Sequence, residues 1–353
     1  LEAATLLARI HLSGDSLGVA RDAATAAKLL ASAATRGDRE AQYYLGLLTS
    51  TGDGVPKDEA AAVNWLLAAA EQDHVEAQYL LSRAYSRGAG VAENPEKTLQ
   101  WLTRAAENGH PEAQFFLATA YDNGQGTEAN PAEAQRWYRR SAEAGNVLAQ
   151  RVLGTKYMRG DGVEVNITEA LRWLQPAAQA GDPGAMSNLG YIYATGPDGV
   201  PKDDSLALQW YAQAAERGLG RAMLVLARFH ETGRGLPAAD PARAVELYLK
   251  AQAAGEVKAA EQLVRLTLEG TAAHLAPHDA VRWMAPAAAE GNDAALSWLQ
   301  TQSDANVRPA QRALALVWLA RGEHTEDAAK LLTQAAERGD VRAQAKLSQL
   351  YTT

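Results

Sequence analysis

The stretch GHPEAQFFLATAYDNGQGTEANPAEAQRWYRRSAEAG, residues 109–145, decides the fold. Gly109 suits a helix-ending turn, His110 can cap the helix that follows, and Pro111 stands at its first position, where no backbone N–H is needed. Ala113, Phe116, Leu117, Ala118 and Tyr121 then fall three and four apart, which predicts the apolar stripe of one helix, here called helix A. Gly124 suits the left-handed position that closes it. After a short loop Asn130 and Pro131 open helix B, with Ala134, Trp137, Tyr138, Ser141 and Ala142 on one face.

The same phrase returns along the chain. Gly37, Gly109, Gly145, Gly181, Gly218, Gly255, Gly291 and Gly339 mark the turn, and Asp73 stands where one glycine is missing. Four residues later come Ala41, Ala77, Ala113, Ala149, Ala185, Ala222, Ala259, Ala295 and Ala343. Eight residues later come Leu45, Leu81, Leu117, Leu153, Leu189, Leu226, Leu263, Leu299 and Leu347. The B-helix caps are Asp22, Asp58, Asn94, Asn130, Asn166, Asp203 and Asp240, and a tryptophan follows at Trp65, Trp101, Trp137, Trp173, Trp210 and Trp283. A fixed period near 36 residues predicts an all-α, right-handed α/α solenoid of about nine to ten helix-turn-helix repeats, each burying its apolar face against its neighbours. Large rings opposite small alanines predict large-into-small packing within each hairpin.

The period breaks once. Gly291 and Gly339 lie 48 residues apart, which predicts an irregular repeat near 297–323 with an inserted helix at about 308–321, carrying Leu314, Val317 and Trp318. The chain is accordingly divided into a regular array, 1–296, and an irregular C-terminal repeat and cap, 297–353, in one continuous solenoid. Pro176 and Pro286, each three residues after a tryptophan, are expected to bend their B helices. Leu1 to Leu12 read as a first A helix with Ala3 and Leu7 in the alanine and leucine slots, so the natural chain is expected to begin upstream.

Composition narrows the function. The chain is 47% hydrophobic but only 7% aromatic, and alanine, the best helix former, suits closely packed helices. A net charge of −8 argues against nucleic acid as a partner, because such binding relies on Lys and Arg neutralising phosphates. With no cysteine there is no disulfide, thiolate metal site or cysteine nucleophile, and no apolar run is long enough to span a membrane.

The catalytic and metal motifs fare no better. The Gly-x-Gly loops at Gly52, Gly88, Gly124, Gly160 and Gly233 lack the Lys-Ser/Thr of a phosphate loop and read as helix ends. Asp53, Asp161 and Asp198 lack the alternating ligands of a calcium loop. His74 and His110 occupy cap slots that elsewhere hold Asp38, Asn146, Asp182 and Asn292, while His274 and His278 are separated by Pro277 and read as no zinc site. Neither Gly-x-Ser-x-Gly nor Ser-x-x-Lys occurs, so no enzyme, metal or cofactor is expected.

Ala41-Gln-Tyr-Tyr-Leu-Gly, Gly52-Asp-Gly-Val-Pro-Lys-Asp58 and Trp210-Tyr-Ala-Gln-Ala-Ala-Glu-Arg-Gly218 resemble Sel-one-like repeats, relatives of tetratricopeptide repeats. The resemblance covers nearly the whole chain. It implies an adaptor role, often in bacterial envelope or signalling complexes, and leans the location toward a bacterial periplasm or cell envelope. Cysteine-rich members are linked to β-lactam binding; this chain lacks their cysteines, and that activity is not carried over.

In tetratricopeptide-like arrays helix A lines the concave face. The sixth position after each turn residue reads Tyr43, Tyr79, Phe115, Arg151, Ser187 and Leu224, an aromatic stripe that gives way to arginine. Glu40, Glu76 and Glu112 precede it, while Arg83, Tyr191 and Arg228 belong to the tenth position and Arg87 ends a helix. Aromatics bordered by arginine are residue types that dominate interface energetics, although the rings can equally fill gaps between A helices. The expected partner-binding set is Tyr43, Tyr79, Phe115, Arg151, Arg83, Arg87, Tyr191 and Arg228, with a protein or peptide as partner. The alternative is an accessory of envelope polysaccharide or peptidoglycan machinery that binds glycan in the groove.

Overall fold

The computed structural model describes residues 2–14, 20–272 and 275–352, and among them the chain is helical with no strand. Hairpins run in order: α1 (Glu2–Ser13) with α2 (Ala23–Ala34), α3 (Arg39–Thr51) with α4 (Glu59–Glu71), α5 (Val75–Arg87) with α6 (Pro95–Glu107), α7 (Pro111–Asn123) with α8 (Pro131–Glu143), and α9 (Val147–Arg159) with α10 (Ile167–Gln179). These form one compact unit, Leu1–Asp182. A second unit, Pro183–Thr353, holds α11 (Pro183–Thr195), α12 (Asp204–Glu216), α13 (Gly220–Thr232), α14 (Pro241–Ala253), α15 (Val257–Leu268) and α16 (Pro277–Ala289). It ends with α17 (Asp293–Asp304), α18 (Arg308–Arg321), α19 (Thr325–Glu337) and α20 (Val341–Thr352).

Helix starts follow the caps. Asp22, Asp58, Asn94, Asn130, Asn166, Asp203 and Asp240 each accept the backbone N–H three residues on, filling one of the donors a helix start leaves unpaired. The hairpins close through left-handed turns. Asp73, at φ 58°, adopts the conformation that glycine supplies elsewhere.

The recurring residues are core. All nine period alanines, from Ala41 to Ala343, have no exposed surface, so backbones meet there almost without side chain between them. Next to four of them, buried Gln42, Gln78, Gln114 and Gln150 donate Nε2–H to the carbonyls of Ala34, Ala70, Ala106 and Ala142 at 3.1–3.2 Å. Each therefore ties an A helix to the last turn of the B helix before it, on a carbonyl that also accepts the N–H of the turn residue. Trp101, Trp137, Trp173 and Trp283 are buried, and Trp65 and Trp210 half-buried.

Three expectations meet the structure here. In α1, Ala3 and Leu7 are exposed, with Thr5 and Ala8 buried instead, because the period that separates cap Asp22 from cap Asp58 puts Thr5, 36 residues before Ala41, in the alanine slot. Second, α10 and α16 run as helices through Pro176 and Pro286, and Pro286 is exposed, which agrees with a proline tolerated on the solvent side.

Third, residues 308–321 are an ordinary A helix and the extra one is α17. Asn306, at φ 64°, takes the turn position before α18, Ala310 and Leu314 are fully buried, and Gln311 donates to the Ser303 carbonyl eight residues back. The same eight-residue bond joins Gln42 to Ala34, so α17 stands where a B helix stands in a regular junction. Its start, with Asn292 as cap and Ala295 and Leu299 buried, is that of an A helix.

A and B helices approach closely where the A helix carries glycine. A Cβ on Gly154 would lie 2.6 Å from the Cγ of Leu174, itself fully buried. Gly154→Ala gains about 1 kcal/mol of helix propensity but overpacks the contact at about 1–3 kcal/mol. We expect net destabilisation, read as faster hydrogen exchange in α9 and α10; slower exchange there would show that the contact relaxes freely.

Candidate binding face

Three of the four sixth-position residues of the first unit meet the cap of the next A helix. The Tyr43 ring stacks on His74 at 4.3 Å between centroids, and Tyr79 lies on His110 at 4.2 Å. Two repeats later the pairing becomes ionic, with Arg151 Nε 3.2 Å from Asp182 Oδ2. Phe115 packs instead on the Tyr138 ring of its own hairpin at 5.8 Å. All four are half-buried. Burial pushes the Tyr43 hydroxyl up to about 12, with neighbouring Glu76 acting in the same direction.

The two histidines are caps before anything else. His74 Nδ1 accepts the Ala77 N–H at 3.2 Å and His110 Nδ1 accepts that of Ala113 at 3.2 Å. An accepting Nδ1 places the neutral ring's proton on Nε2, toward Glu40 and Glu76 respectively, each at 3.3 Å. Glu40, Glu76 and Glu112 also lie in first helical turns, where the macrodipole favours negative charge. The glutamate row thus has a structural reason of its own.

Arg83 and Arg87 line a different feature, a crevice of about 260 Å³ between α3 and α5 with α4 beneath, whose apolar walls include Leu47, Leu66 and Leu80. One repeat on, at positions shifted by 36, a crevice of about 300 Å³ lies between α5 and α7, walled by Leu99, Leu102 and Phe116. Tyr79 connects the two rows: the Arg83 guanidinium lies 5.8 Å from its ring centre and Phe116 stacks 6.4 Å away. Phe116 was read as core from its place in the stripe, yet it is 46% exposed. The seventh position, Tyr44, Leu80 and Phe116, was legible as a series in the sequence and went unused.

Tyr191 on α11 and Arg228 on α13 belong to the second unit, where both are exposed. His278 is exposed, and its sequence partner His274 lies outside the described residues. Among the described residues no cluster of three or more His, Cys, Asp or Glu could hold a metal ion, and no helix is long and apolar enough to cross a membrane.

Hairpins that spend their recurring residues on mutual packing and present a varied A-helix face define a helical-repeat interaction solenoid. The chain belongs to the Sel1 repeat family, whose model matches residues 1–38, 39–74, 75–110, 111–146, 147–182, 183–219, 220–255, 276–292 and 309–340. Proteins built of these repeats generally act as scaffolds for protein–protein interaction. The last match spans α18 and α19, in agreement with the register at Asn306.

Among solved structures, the chain is similar to c5321, a protective antigen of uropathogenic Escherichia coli with an SLR fold (TM-score 0.72, 29% identity, covering 99% of this chain and 72% of that one). It is also similar to a Sel1 repeat protein from Oxalobacter formigenes (TM-score 0.58, 32% identity, 75% of each chain). No curated protein matches the chain.

The His74 cap carries a pH dependence. Burial holds the His74 imidazole below its ordinary value despite nearby Glu40. The unfolded chain then binds more protons than the folded one as pH falls below about 6.5, so stability present above that value is lost on acidification toward the folded value. Protonation also removes the acceptor that Nδ1 offers to Ala77. Unfolding monitored from pH 7.5 to 5 is expected to show falling stability around α4 and α5, and His74→Asn, the cap type found at Asn146, should flatten that trend. An unchanged slope in the variant would remove His74 as its source.

Proposed function

We propose that this chain is a non-catalytic adaptor that binds a protein or peptide partner along the A-helix face of its first unit. One observation carries the reading. The crevice between successive A helices recurs one repeat apart, with apolar walls and with Arg83 and Arg87 at the first and Phe116 at the second. Periodic crevices suit an extended or helical segment that crosses several A helices and gains modestly from each. Tyr43, Tyr79, Phe115 and Arg151 form the edge of this face beside the caps. By their repeat positions Tyr191 and Arg228 are assigned the same role in the second unit. A setting in a bacterial envelope or signalling complex is part of the proposal, supported by the likeness to the E. coli protective antigen.

The test separates binding from folding. Truncating Tyr79 or Phe115 also removes packing onto the core, whereas Phe116 and Arg83 are exposed. Affinity capture from a bacterial envelope extract is expected to recover a partner with the parent chain, and Arg83→Glu with Phe116→Ala should weaken its measured affinity about 30-fold or more, with helicity unchanged. Equal affinity for parent and variant would refute the assignment of this face.

A further inference from the structure

Although the chain carries 42 acidic against 34 basic residues, one groove in the second unit is lined by the opposite charge. Because α17 is interposed, α16 packs against both α17 and α18. Two adjoining cavities, of about 690 and 580 Å³, open there and share His278, Pro309, Arg312 and Arg342. Val281, Ala285, Ala313, Leu316 and Val317 give the second an aliphatic floor, in which Val281, Ala313 and Val317 are buried and Leu316 is 37% exposed.

The rim is basic. Arg282, Arg308, Arg312 and Arg342 converge on it, with Asp340 the one acid among the lining residues. Arg312 pairs with Asp340, and Arg308 donates to the Arg338 carbonyl at 2.6 Å. The other two are available: Arg282 has an 80% exposed side chain that comes no nearer than 3.8 Å to Asp279, and the Arg342 guanidinium engages no described partner. Guanidinium groups recognise carboxylates through paired N–H donors, and cavities of these volumes take several side chains.

We propose that this groove is a second docking site, for an acidic amphipathic peptide whose aliphatic side chains lie on the floor and whose carboxylates meet Arg282 and Arg342. Charge complementarity selects the acidic partner, and the exposed Leu316 suits an aliphatic side chain on it. A small oxyanion would leave Leu316 exposed. A single-stranded nucleic acid would need aromatic platforms for its bases, and none of the lining residues is Phe, Tyr or Trp. The groove shares no residue with the first-unit face, so each assignment stands or falls alone.

The probe is a short labelled peptide of alternating Leu-Leu and Glu-Glu pairs, titrated against the full chain by fluorescence anisotropy. It is expected to bind, to weaken with added salt, and to lose at least about tenfold in affinity to the double variant Arg282→Glu with Arg342→Glu. Both positions are exposed, and unchanged circular dichroism confirms folding of the variant. A Lys-for-Glu peptide that binds equally, an unaffected double variant, or displacement by inorganic phosphate beyond that of sodium chloride at matched ionic strength would overturn the proposal. So would tighter binding of an oligonucleotide, or a concentration-dependent dimer abolished by the same substitutions.

Discussion

At four successive junctions of the first unit a glutamine amide reaches back to a carbonyl in the last turn of the preceding helix, and that unit is organised around the bond. Gln42, Gln78, Gln114 and Gln150 make it in the first unit, and Gln311 and Gln344 repeat it in the second at 3.4 and 3.0 Å. Its net worth is about 1 kcal/mol, and the same carbonyls of Ala34, Ala70, Ala106 and Ala142 also accept the turn N–H of Gly37, Asp73, Gly109 and Gly145 at 3.0–3.1 Å, so helix end, turn and next helix meet on one acceptor. One residue earlier the fully buried alanine lets the two backbones touch. Further amides extend the junction: Gln72 donates to the Gln42 side-chain oxygen at 2.8 Å and Asn108 to that of Gln78 at 2.9 Å. Fixed distance between one hairpin and the next then follows from local chemistry repeated.

The same junction couples the cap to the face. Because the turn places the next cap beside the sixth A-helix position, that position has a partner whose chemistry it matches: ring against imidazole at Tyr43 and Tyr79, cation against carboxylate at Arg151. An aromatic stripe here is first a packing device between hairpins. The open surface belongs to the seventh and tenth positions, which look into the crevices between A helices. Asp122 shows how polar groups are settled alongside. It takes the Lys156 ammonium of the next A helix at 3.0 Å, while the Tyr138 hydroxyl, buried where leucine stands in other repeats, finds Thr119 at 3.2 Å.

Much of the fold was legible because packing imposes it at fixed spacing: the alanines, leucines and caps recur as the contacts recur. The face was less legible, for a geometric reason. Adjacent helix positions differ by about 100° of rotation, so one residue separates Phe115, packed on Tyr138, from the exposed Phe116. Periodicity ranks positions by their shared role and leaves the absolute rotation of each A helix to its neighbours. The register of α18 was hidden differently, since a search for glycine passes over Asn306, although Asn and Asp tolerate the left-handed conformation and Asp73 had already supplied it once. The Ala310-Gln311 pair, with Leu314 behind it, carried the missing information.

The irregular region also shows what the junction permits. It constrains the end of one helix and the start of the next, and asks nothing of the first helix's own beginning. A helix that starts like an A helix at Asn292 and ends like a B helix at Ser303 therefore satisfies both neighbours, and α17 is such a helix. Its insertion keeps the Gln311 bond but brings α16 against α18, helices that no regular hairpin or junction pairs. Side chains of α16 there meet α18 across a groove with an aliphatic floor and a basic rim. A whole inserted helix thus opens a new groove while the glutamine bond into the next A helix, Gln311 to Ser303, is kept.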